Sequence, residues 1–187
     1  SKYPQHLMVE AVLTGSVRVF GKKMNAVEAL RSVGEPVLVI EPGRSITETA
    51  GVTLMKIKGV RKFNGDHNLI TVDAGAVNYD TAVEKDYLMR RWTLTSNVDQ
   101  KDTGPFDAFI AGRLCYNGDI ISRIKVRFPR KPEEGEIMLV HDTGAYSPHF
   151  YAANTNSFPR PARVIFYEDG SIKYLEKEDT YDEIFSQ

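Results

Sequence analysis

The chain has 187 residues, which is enough for one large domain or for one domain and part of another. Its 24 basic and 25 acidic residues nearly cancel and do not cluster, so the charge gives no support to a nucleic-acid or membrane-surface role. No apolar run is long enough to span a bilayer, and the first residues do not look like a secretory signal. The single cysteine, Cys115, excludes an intramolecular disulfide framework and is typical of a reducing cytoplasm.

The beginning of the chain has the pattern of an α/β fold. Residues 17–20 alternate like a strand, whereas residues 6–13 mix helical and strand character. Residues 25–34 predict a short helix, because their apolar side chains share one face and Gly34 can end the helix. Residues 37–40 are consecutive aliphatics and predict a buried strand. In α/β folds, ligands bind at the C-terminal ends of such strands.

The segment after this predicted strand has the features of an anion site. Ser45, with Glu48 three residues later, has the spacing of a capping box, which predicts a helix start. Gly43 lets a ligand approach the backbone closely, and the forked cation of Arg44 suits a phosphate. Glu41 would then face the cationic part of the molecule that bears the anion. The alternative is an ordinary strand, turn and helix with an arginine at the surface.

From residue 52 onward the pattern changes to evenly spaced strands. A hairpin is predicted from residues 52–61 and 69–75, with its turn at residues 64–66. Further strands are predicted at residues 88–94, 106–111, 119–128, 136–141, 162–167 and 171–175, with a turn at 168–170. We therefore expect a mostly β fold, with an antiparallel β-sandwich or barrel over residues 52–187.

The two parts of the chain differ in how complete they are. Residues 1–51 supply about one βα unit, which is too little to bury both faces of a sheet. We therefore expect residues 1–51 to be the remnant of a larger α/β domain, with a boundary near Gly51. The chain is then the C-terminal piece of a longer protein.

Two later loops contain side chains that could act in a site. Cys115 and Tyr116 place a thiol and a phenol on a glycine-bounded loop between two predicted strands. Cys115 could instead be a buried apolar residue, which is the more common role of a lone cysteine. Tyr146 follows small residues at a strand end and could donate its hydroxyl in a cleft, or it could be a half-buried core tyrosine.

These groups of residues, in this order and spacing, resemble the fold-type III pyridoxal-phosphate decarboxylases, the family that contains the diaminopimelate and ornithine decarboxylases. The resemblance covers approximately residues 36–187, and the charged tail looks like the ending common in that family. It rests on residues 41–44, 72–75, 112–115 with 118–119, 142–146 and 154–161.

The resemblance implies a homodimeric amino-acid decarboxylase with pyridoxal phosphate as its cofactor. A (β/α)₈ barrel would hold the cofactor on a lysine, and this chain would begin late in that barrel, continue as the C-terminal β-domain and be inactive alone. Glu41 would hydrogen-bond the pyridine nitrogen, and Gly43, Arg44 and Tyr146 would lie at the phosphate. Cys115 would enter the neighbouring subunit's site as a proton donor, so that the site needs the dimer.

The chain departs from the family pattern in three ways. Tyr116 stands where relatives usually have an acidic residue that binds the substrate's distal amine, so a substrate with a masked or carrier-bound distal end fits better than a diamino acid. The stretch after Gly75 lacks the Arg-Pro and the following Tyr that help to bind a substrate carboxylate. No segment resembles the strand of the cofactor lysine, and the sequence predicts solvated side chains for Lys56, Lys58 and Lys62.

Other interpretations remain open at this point. His141 and His149 flank the Tyr146 loop and could line a cleft or be ordinary surface histidines, and no metal-ligand spacing is present. The main alternative function is a non-catalytic decarboxylase homologue that acts as a binding or regulatory module, followed by a purely structural β-barrel. The Glu41 motif disfavours a racemase, because a protonated pyridine suits decarboxylation.

Overall fold

The computed structural model describes residues 5–34, 36–37, 39, 41, 43–75, 90–95, 104–115, 117–145 and 158–186. The chain divides into two compact units, Ser1–Ser45 and Ile46–Gln187. The identity of residues 1–51 as a barrel remnant and of residues 52–187 as a separate β-domain stays a prediction.

The first unit contains two helices and a small hairpin. Its elements are α1 (Gln5–Thr14), β1 (Ser16–Val19), β2 (Lys22–Asn25) and α2 (Ala26–Ser32). The antiparallel pair β1–β2 turns at Phe20 and Gly21, both of which have positive φ. Residues 17–20 therefore form a strand up to the turn, as their alternation predicts.

A complete capping box begins helix α2. The Asn25 side chain accepts the Glu28 N–H at 2.7 Å, and the Glu28 carboxylate accepts the Asn25 N–H at 3.0 Å. At the other end, Gly34 has a φ of +96°, which glycine adopts without strain, and its N–H donates to the Arg31 carbonyl. The predicted helix and its glycine end are confirmed.

Two predictions for the following segment are wrong. Val37 and Val39 are 89% and 75% exposed and lie outside any strand. A strand needs a neighbour for its backbone hydrogen bonds, and no strand among the described residues pairs with this segment. The capping box also fails, because α3 (Arg44–Thr47) already begins before Ser45, which therefore lies inside the helix.

The second unit contains a six-stranded sheet. Its strands are β3 (Val52–Phe63), β4 (His67–Val72), β5 (Trp92–Leu94), β6 (Phe106–Ala111), β7 (Ile120–Phe128) and β8 (Ile137–His141). Their order is β5-β8-β3-β4-β6-β7, and a 3₁₀ turn, Glu48–Ala50, precedes β3. The predicted strands at residues 106–111, 119–128 and 136–141 are confirmed, as is the β3–β4 hairpin.

The sheet is mixed rather than purely antiparallel. Strands β4 and β6 run parallel, while the other neighbouring pairs are antiparallel. A long connection through β5 separates β4 from β6, and such a connection allows the chain to return in the same direction. The edge strands β5 and β7 contact each other, so the sheet is curled. Mostly β structure is confirmed, whereas the predicted antiparallel arrangement needs this correction.

Alternating side chains of these strands form the core. Met55 and Ile57 on β3 are almost fully buried, while Lys56 between them is exposed, which is the period of two expected for a strand with one face in the core. The same core includes Ile70, Val72, Ile110, Ile121, Phe128, Met138 and Val140.

The end of the chain forms a separate hairpin and a short helix: β9 (Arg163–Phe166), β10 (Ile172–Glu176) and α4 (Tyr181–Phe185). The predicted turn is confirmed, with Gly170 at a φ of +82°. Thr180 donates its backbone N–H and its hydroxyl to the Glu183 carboxylate, and these bonds lower the pKa of Glu183. Among the described residues, no helix is both long and apolar enough to cross a membrane.

Candidate functional site

A buried aspartate holds the loop between β6 and β7. The Gly112 N–H donates to the Asp119 backbone carbonyl at 3.0 Å, and the Leu114 N–H donates to Asp119 Oδ2 at 2.6 Å. Asp119 is only 4% exposed. A Cβ at Gly112 would overlap the Asp119 carboxylate, so this close approach requires glycine. Asp119 therefore fixes the start of the loop through its backbone carbonyl and the middle of the loop through its carboxylate.

The fixed loop presents Cys115 to solvent. Cys115 is a free and exposed thiol. The interpretation of this residue as buried core is therefore wrong, because Cys115 lies on the loop between β6 and β7, whereas the core is built from side chains of the strands. The neighbouring Tyr116, predicted to contact the substrate, lies outside the described residues.

Because Cys115 is exposed, we expect it to react with Ellman's reagent in the native protein without denaturant, at one thiol per chain. A thiol in a packed core would react only after unfolding, since reagents cannot reach it. The Cys115→Ser variant gives the background. A native protein whose thiol reacts only in denaturant would contradict the loop geometry.

Arg113 joins three of the motifs found in the sequence. Its backbone N–H donates to the carbonyl of Ala74, in the segment that follows β4, at 3.1 Å. Its guanidinium carbon lies 4.7 Å from the centre of the Phe158 ring, a cation–π distance. Phe158 is 9% exposed. Three motif segments therefore meet at this arginine: residues 72–75, residues 112–115 and the described part of residues 154–161.

The segment that leads to Tyr146 packs on the 3₁₀ turn before β3. The Gly144 N–H donates to the Glu48 carbonyl at 2.9 Å, and the Thr143 N–H donates to the Gly51 carbonyl at 3.0 Å. A Cβ at Gly51 or at Gly144 would overlap backbone atoms of the opposite segment. Two glycines thus permit two backbones to touch. Tyr146 itself lies outside the described residues.

Glu41, Gly43 and Arg44 lie in the first unit, whereas Cys115 lies in the second. Glu41 and Gly43 are exposed, and Arg44 is the half-buried first residue of α3. Helix α3 has four residues, so its dipole is far weaker than that of a long helix. The proposed roles of these three residues stay predictions.

The candidate lysines and histidines have ordinary surroundings. Lys56, Lys58 and Lys62 are exposed, as predicted for solvated lysines. His141 ends β8; its Nδ1 lies 3.0 Å from Arg91 Nη2, and its Nε2 lies 2.8 Å from Thr93 Oγ1. Because a guanidinium only donates, Nδ1 accepts and Nε2 bears the proton.

His141 is therefore part of a structural hydrogen-bond chain. His149, the other histidine considered for the cleft, lies outside the described residues. No group of potential metal ligands occurs in the described part of the chain.

Sequence reasoning identified the motif residues but missed the contacts that fix them. The role of Asp119 as the anchor of the Cys115 loop and the contact between Gly51 and Gly144 are the main examples. The signal in the sequence was a glycine at each contact: Gly112 at the Asp119 contact, and Gly51 and Gly144 at the other. A glycine does not indicate which residue it contacts, because that residue is distant in the sequence or on the other side of a turn. Only the folded structure identifies it.

No family model matches the sequence. Among curated proteins, the chain is 29% identical over 145 residues to a diaminopimelate decarboxylase of Staphylococcus aureus, which is 78% of this chain and 33% of that protein. It is 30% identical over 149 residues to that of Bacillus subtilis, which is 80% of this chain and 32% of the relative.

Solved structures have the same fold. A diaminopimelate decarboxylase from M. jannaschii superposes with a TM-score of 0.68 at 23% identity, over 87% of this chain and 36% of that one. A Paramecium bursaria Chlorella virus arginine decarboxylase superposes with a TM-score of 0.54 at 18% identity, over 68% of this chain and 35% of the virus protein's chain.

This chain thus spans about one third of the length of the curated relatives that it matches. The sequence matches cover 78% and 80% of this chain, and the superpositions cover 87% and 68% of it. The resemblance to the fold-type III decarboxylases, the family of the diaminopimelate decarboxylases, is therefore confirmed in sequence and in fold.

Proposed function

We propose that this chain is part of a pyridoxal-phosphate-dependent decarboxylase that acts on an amino acid. The observation that supports the proposal most directly is the solvent-facing thiol of Cys115, on a loop fixed by the buried Asp119, in a chain similar to diaminopimelate decarboxylases. A scaffold protein would gain nothing evident from a rigidly presented thiol. Because the chain spans only a third of its relatives, the activity of the whole protein is part of this proposal.

The residues proposed to hold the cofactor have the right chemistry. The exposed carboxylate of Glu41 can accept a hydrogen bond from the N–H of a pyridinium ring, and the guanidinium of Arg44 can bind a phosphate. Gly43 between them has no side chain to obstruct a phosphate, and Tyr146 would donate its hydroxyl to the same group. When bound, the cofactor supplies the electron sink that stabilises negative charge as the carboxylate leaves.

Cys115 is proposed to deliver the proton that replaces the lost carboxylate. An exposed thiol on a fixed loop can reach a site on another molecule, which agrees with a site completed by the second subunit of a homodimer. The hydrogen bond from the Leu114 N–H to Asp119 Oδ2 keeps the neighbouring backbone in place. Cys115 would therefore hold and release its proton at a defined position.

The substrate is proposed to be an amino acid without a free distal amine. A solved diaminopimelate decarboxylase of Helicobacter pylori, which superposes with a TM-score of 0.66, is described in complex with L-lysine. Tyr116 here lacks the negative charge that would pair with such an amine at neutral pH. A single free thiol is compatible with a reducing cytoplasm, where we propose that the protein works.

Carbon dioxide release from a panel of amino acids, by the protein that contains this chain at its natural length, tests the proposal. We expect cofactor-dependent release, and a loss of at least tenfold in kcat for Cys115→Ala, since general acid–base groups contribute about 10²–10⁴-fold. The matched control is Ser157→Ala, which changes a residue of the 154–161 motif that has no assigned role. Cofactor binding without release from any amino acid would favour the non-catalytic homologue.

The cofactor lysine is proposed to lie outside these 187 residues, because Lys56, Lys58 and Lys62 are exposed on a strand. Mixing this chain with pyridoxal phosphate and borohydride should therefore give no stoichiometric adduct on any one lysine. Mass spectrometry of the digest reads this out, and one fully labelled lysine would show that the proposal is wrong.

A further inference from the structure

A cavity of about 290 Å³ lies in the second unit, between strand β3, the segment after β4, Arg113 and residues 158–161. Its size is just below the range of about 300–1,000 Å³ that is typical of small-molecule sites. The cavity could therefore hold a ligand of only a few heavy atoms. None of the residues assigned above to the cofactor or to proton transfer is among the described residues that line it.

The cavity has an apolar wall and charged side chains of both signs. Met55, at 1% exposure, and Phe158, at 9%, form part of the apolar wall. The charged side chains that line it are Asp73, Arg113, Arg160 and Glu178. Such a combination of an apolar wall with a few polar groups is what small-molecule sites usually have.

Two of the four charged groups already have partners. Arg160 forms an ion pair with Asp179 at 2.9 Å. Asp73 accepts the Lys56 backbone N–H at 2.8 Å. These contacts connect the two charged residues to the surrounding backbone, so their first role is structural.

The other two charged groups face the same cavity without pairing. The Arg113 guanidinium stacks on the Phe158 ring, and no carboxylate among the described residues forms an ion pair with it. Within the same described part of the chain, no cation pairs with Glu178. Opposite charges that line one cavity and do not touch leave room for a ligand that carries both charges.

We propose that this cavity binds a free α-amino acid. Arg113 would bind its carboxylate, since a guanidinium offers two parallel donors that match carboxylate geometry. Glu178 would accept from its ammonium group, and a small apolar side chain would lie against Met55 and Phe158. A ligand with a single charge would satisfy only one of the two residues. This inference does not depend on the proposed decarboxylase function, because it uses none of the residues assigned to that function.

Isothermal titration calorimetry of the chain with L-alanine and with L-valine tests the proposal. Acetate and methylamine serve as control ligands, because each carries only one of the two charges. We expect saturable binding of the amino acids and at least tenfold weaker binding of both single-charge compounds. No saturable binding of either amino acid, or equal binding of acetate, would overturn the proposal.

Two variants and two controls locate the site. Arg113→Gln and Glu178→Gln should each weaken L-alanine binding at least tenfold, because each loses one ionic contact. Arg123→Gln and Glu168→Gln, which change exposed residues that do not line the cavity, should leave the affinity unchanged. Arg113 also packs on Phe158, so circular dichroism must first show that its variant is folded. Glu178 is exposed, and unchanged affinity in its variant would overturn the site even if the Arg113 variant fails to fold.

Discussion

Replacing Gly144 by alanine is expected to lower the free energy of unfolding by about 3 kcal/mol, near the upper end of what overpacking usually costs. A Cβ at this position would overlap the backbone carbonyl oxygen of Thr47 and would lie only 2.8 Å from the Gly51 nitrogen. Backbone atoms cannot move aside as the end of a flexible side chain can. The two segments must therefore separate, and the Gly144–Glu48 hydrogen bond is lost with them.

The matched control is Gly59→Ala in strand β3. An added Cβ at Gly59 meets no atom within 4 Å, and alanine has a smaller entropy cost than glycine in a strand. We expect its free energy of unfolding to stay within about 0.5 kcal/mol of the unmodified chain. Urea titration followed by circular dichroism measures both variants. Equal stabilities would show that segments 47–51 and 143–144 are not in contact in solution.

The same substitution connects stability to the proposed site. The contact of Gly144 fixes the backbone two residues before Tyr146, to which we assign a contact with the cofactor phosphate. A Gly144→Ala protein that remains folded should therefore bind pyridoxal phosphate more weakly, whereas Gly59→Ala should not. This separates a local role of the segment from a general loss of stability.

The β-rich part of the chain could be predicted from the sequence because its signals are local. Residues 106–111 were predicted as a strand and form β6 over the same residues, since a mostly apolar run between Gly104 and Gly112 is a signal contained in the local sequence. The β9–β10 hairpin was predicted for the same reason, from a turn with glycine at its third position. In both cases the local pattern of apolar residues and the glycines in the adjacent turns were sufficient to predict the strands.

Long-range pairing could not be predicted. The aliphatic residues 37–40 have the composition of a strand, but composition does not supply the neighbour that a strand needs, and Val37 and Val39 are exposed. In the same way, nothing local to β4 or β6 indicates that these two strands lie side by side and parallel. Both outcomes depend on which segments meet in the folded chain.

The candidate site shows the same division. Cys115 was identified from its motif, and its exposure then followed from the fold. The side chain that fixes its loop, Asp119, was recognised only as part of a motif, because its bond to the Leu114 N–H depends on the turn geometry. Motifs therefore predict which residues act, whereas the contacts that hold them come from tertiary structure.

A buried ion pair closes the connection between β7 and β8. The Arg130 guanidinium and the Glu136 carboxylate form two hydrogen bonds, and their side chains are 5% and 11% exposed. Glu136 also accepts the Glu133 N–H at 2.6 Å. The backbone of Glu136 in turn accepts the Ile57 N–H, which ties the connection to β3. The pair therefore sets the start of β8, the strand that ends just before residues 142–146.

Glu136→Gln is expected to lower the free energy of unfolding by about 3 kcal/mol, because it leaves the Arg130 cation buried without its counter-charge. The control Glu134→Gln changes an exposed glutamate of the same connection and should alter stability by less than about 0.5 kcal/mol. Replacing both partners with apolar residues, Arg130→Met with Glu136→Leu, should cost less than Glu136→Gln alone, since no charge then remains buried.

Salt and pH distinguish this explanation from a loss of surface charge. The hydrogen bonds that Arg130 donates to the Glu136 carboxylate raise the pKa of Arg130 above its ordinary value. Because the pKa of Arg130 is higher in the folded protein than in the unfolded chain, the pair stabilises the fold fully at any pH below the unfolded-state pKa. This stabilisation is lost only as the pH rises through the folded-state pKa, which for arginine lies in strong alkali. The deficit of Glu136→Gln should therefore stay constant around neutral pH, and salt should change it little because the pair is buried. A deficit that disappears in high salt would mean that the pair is exposed to solvent and does not order the connection to β8.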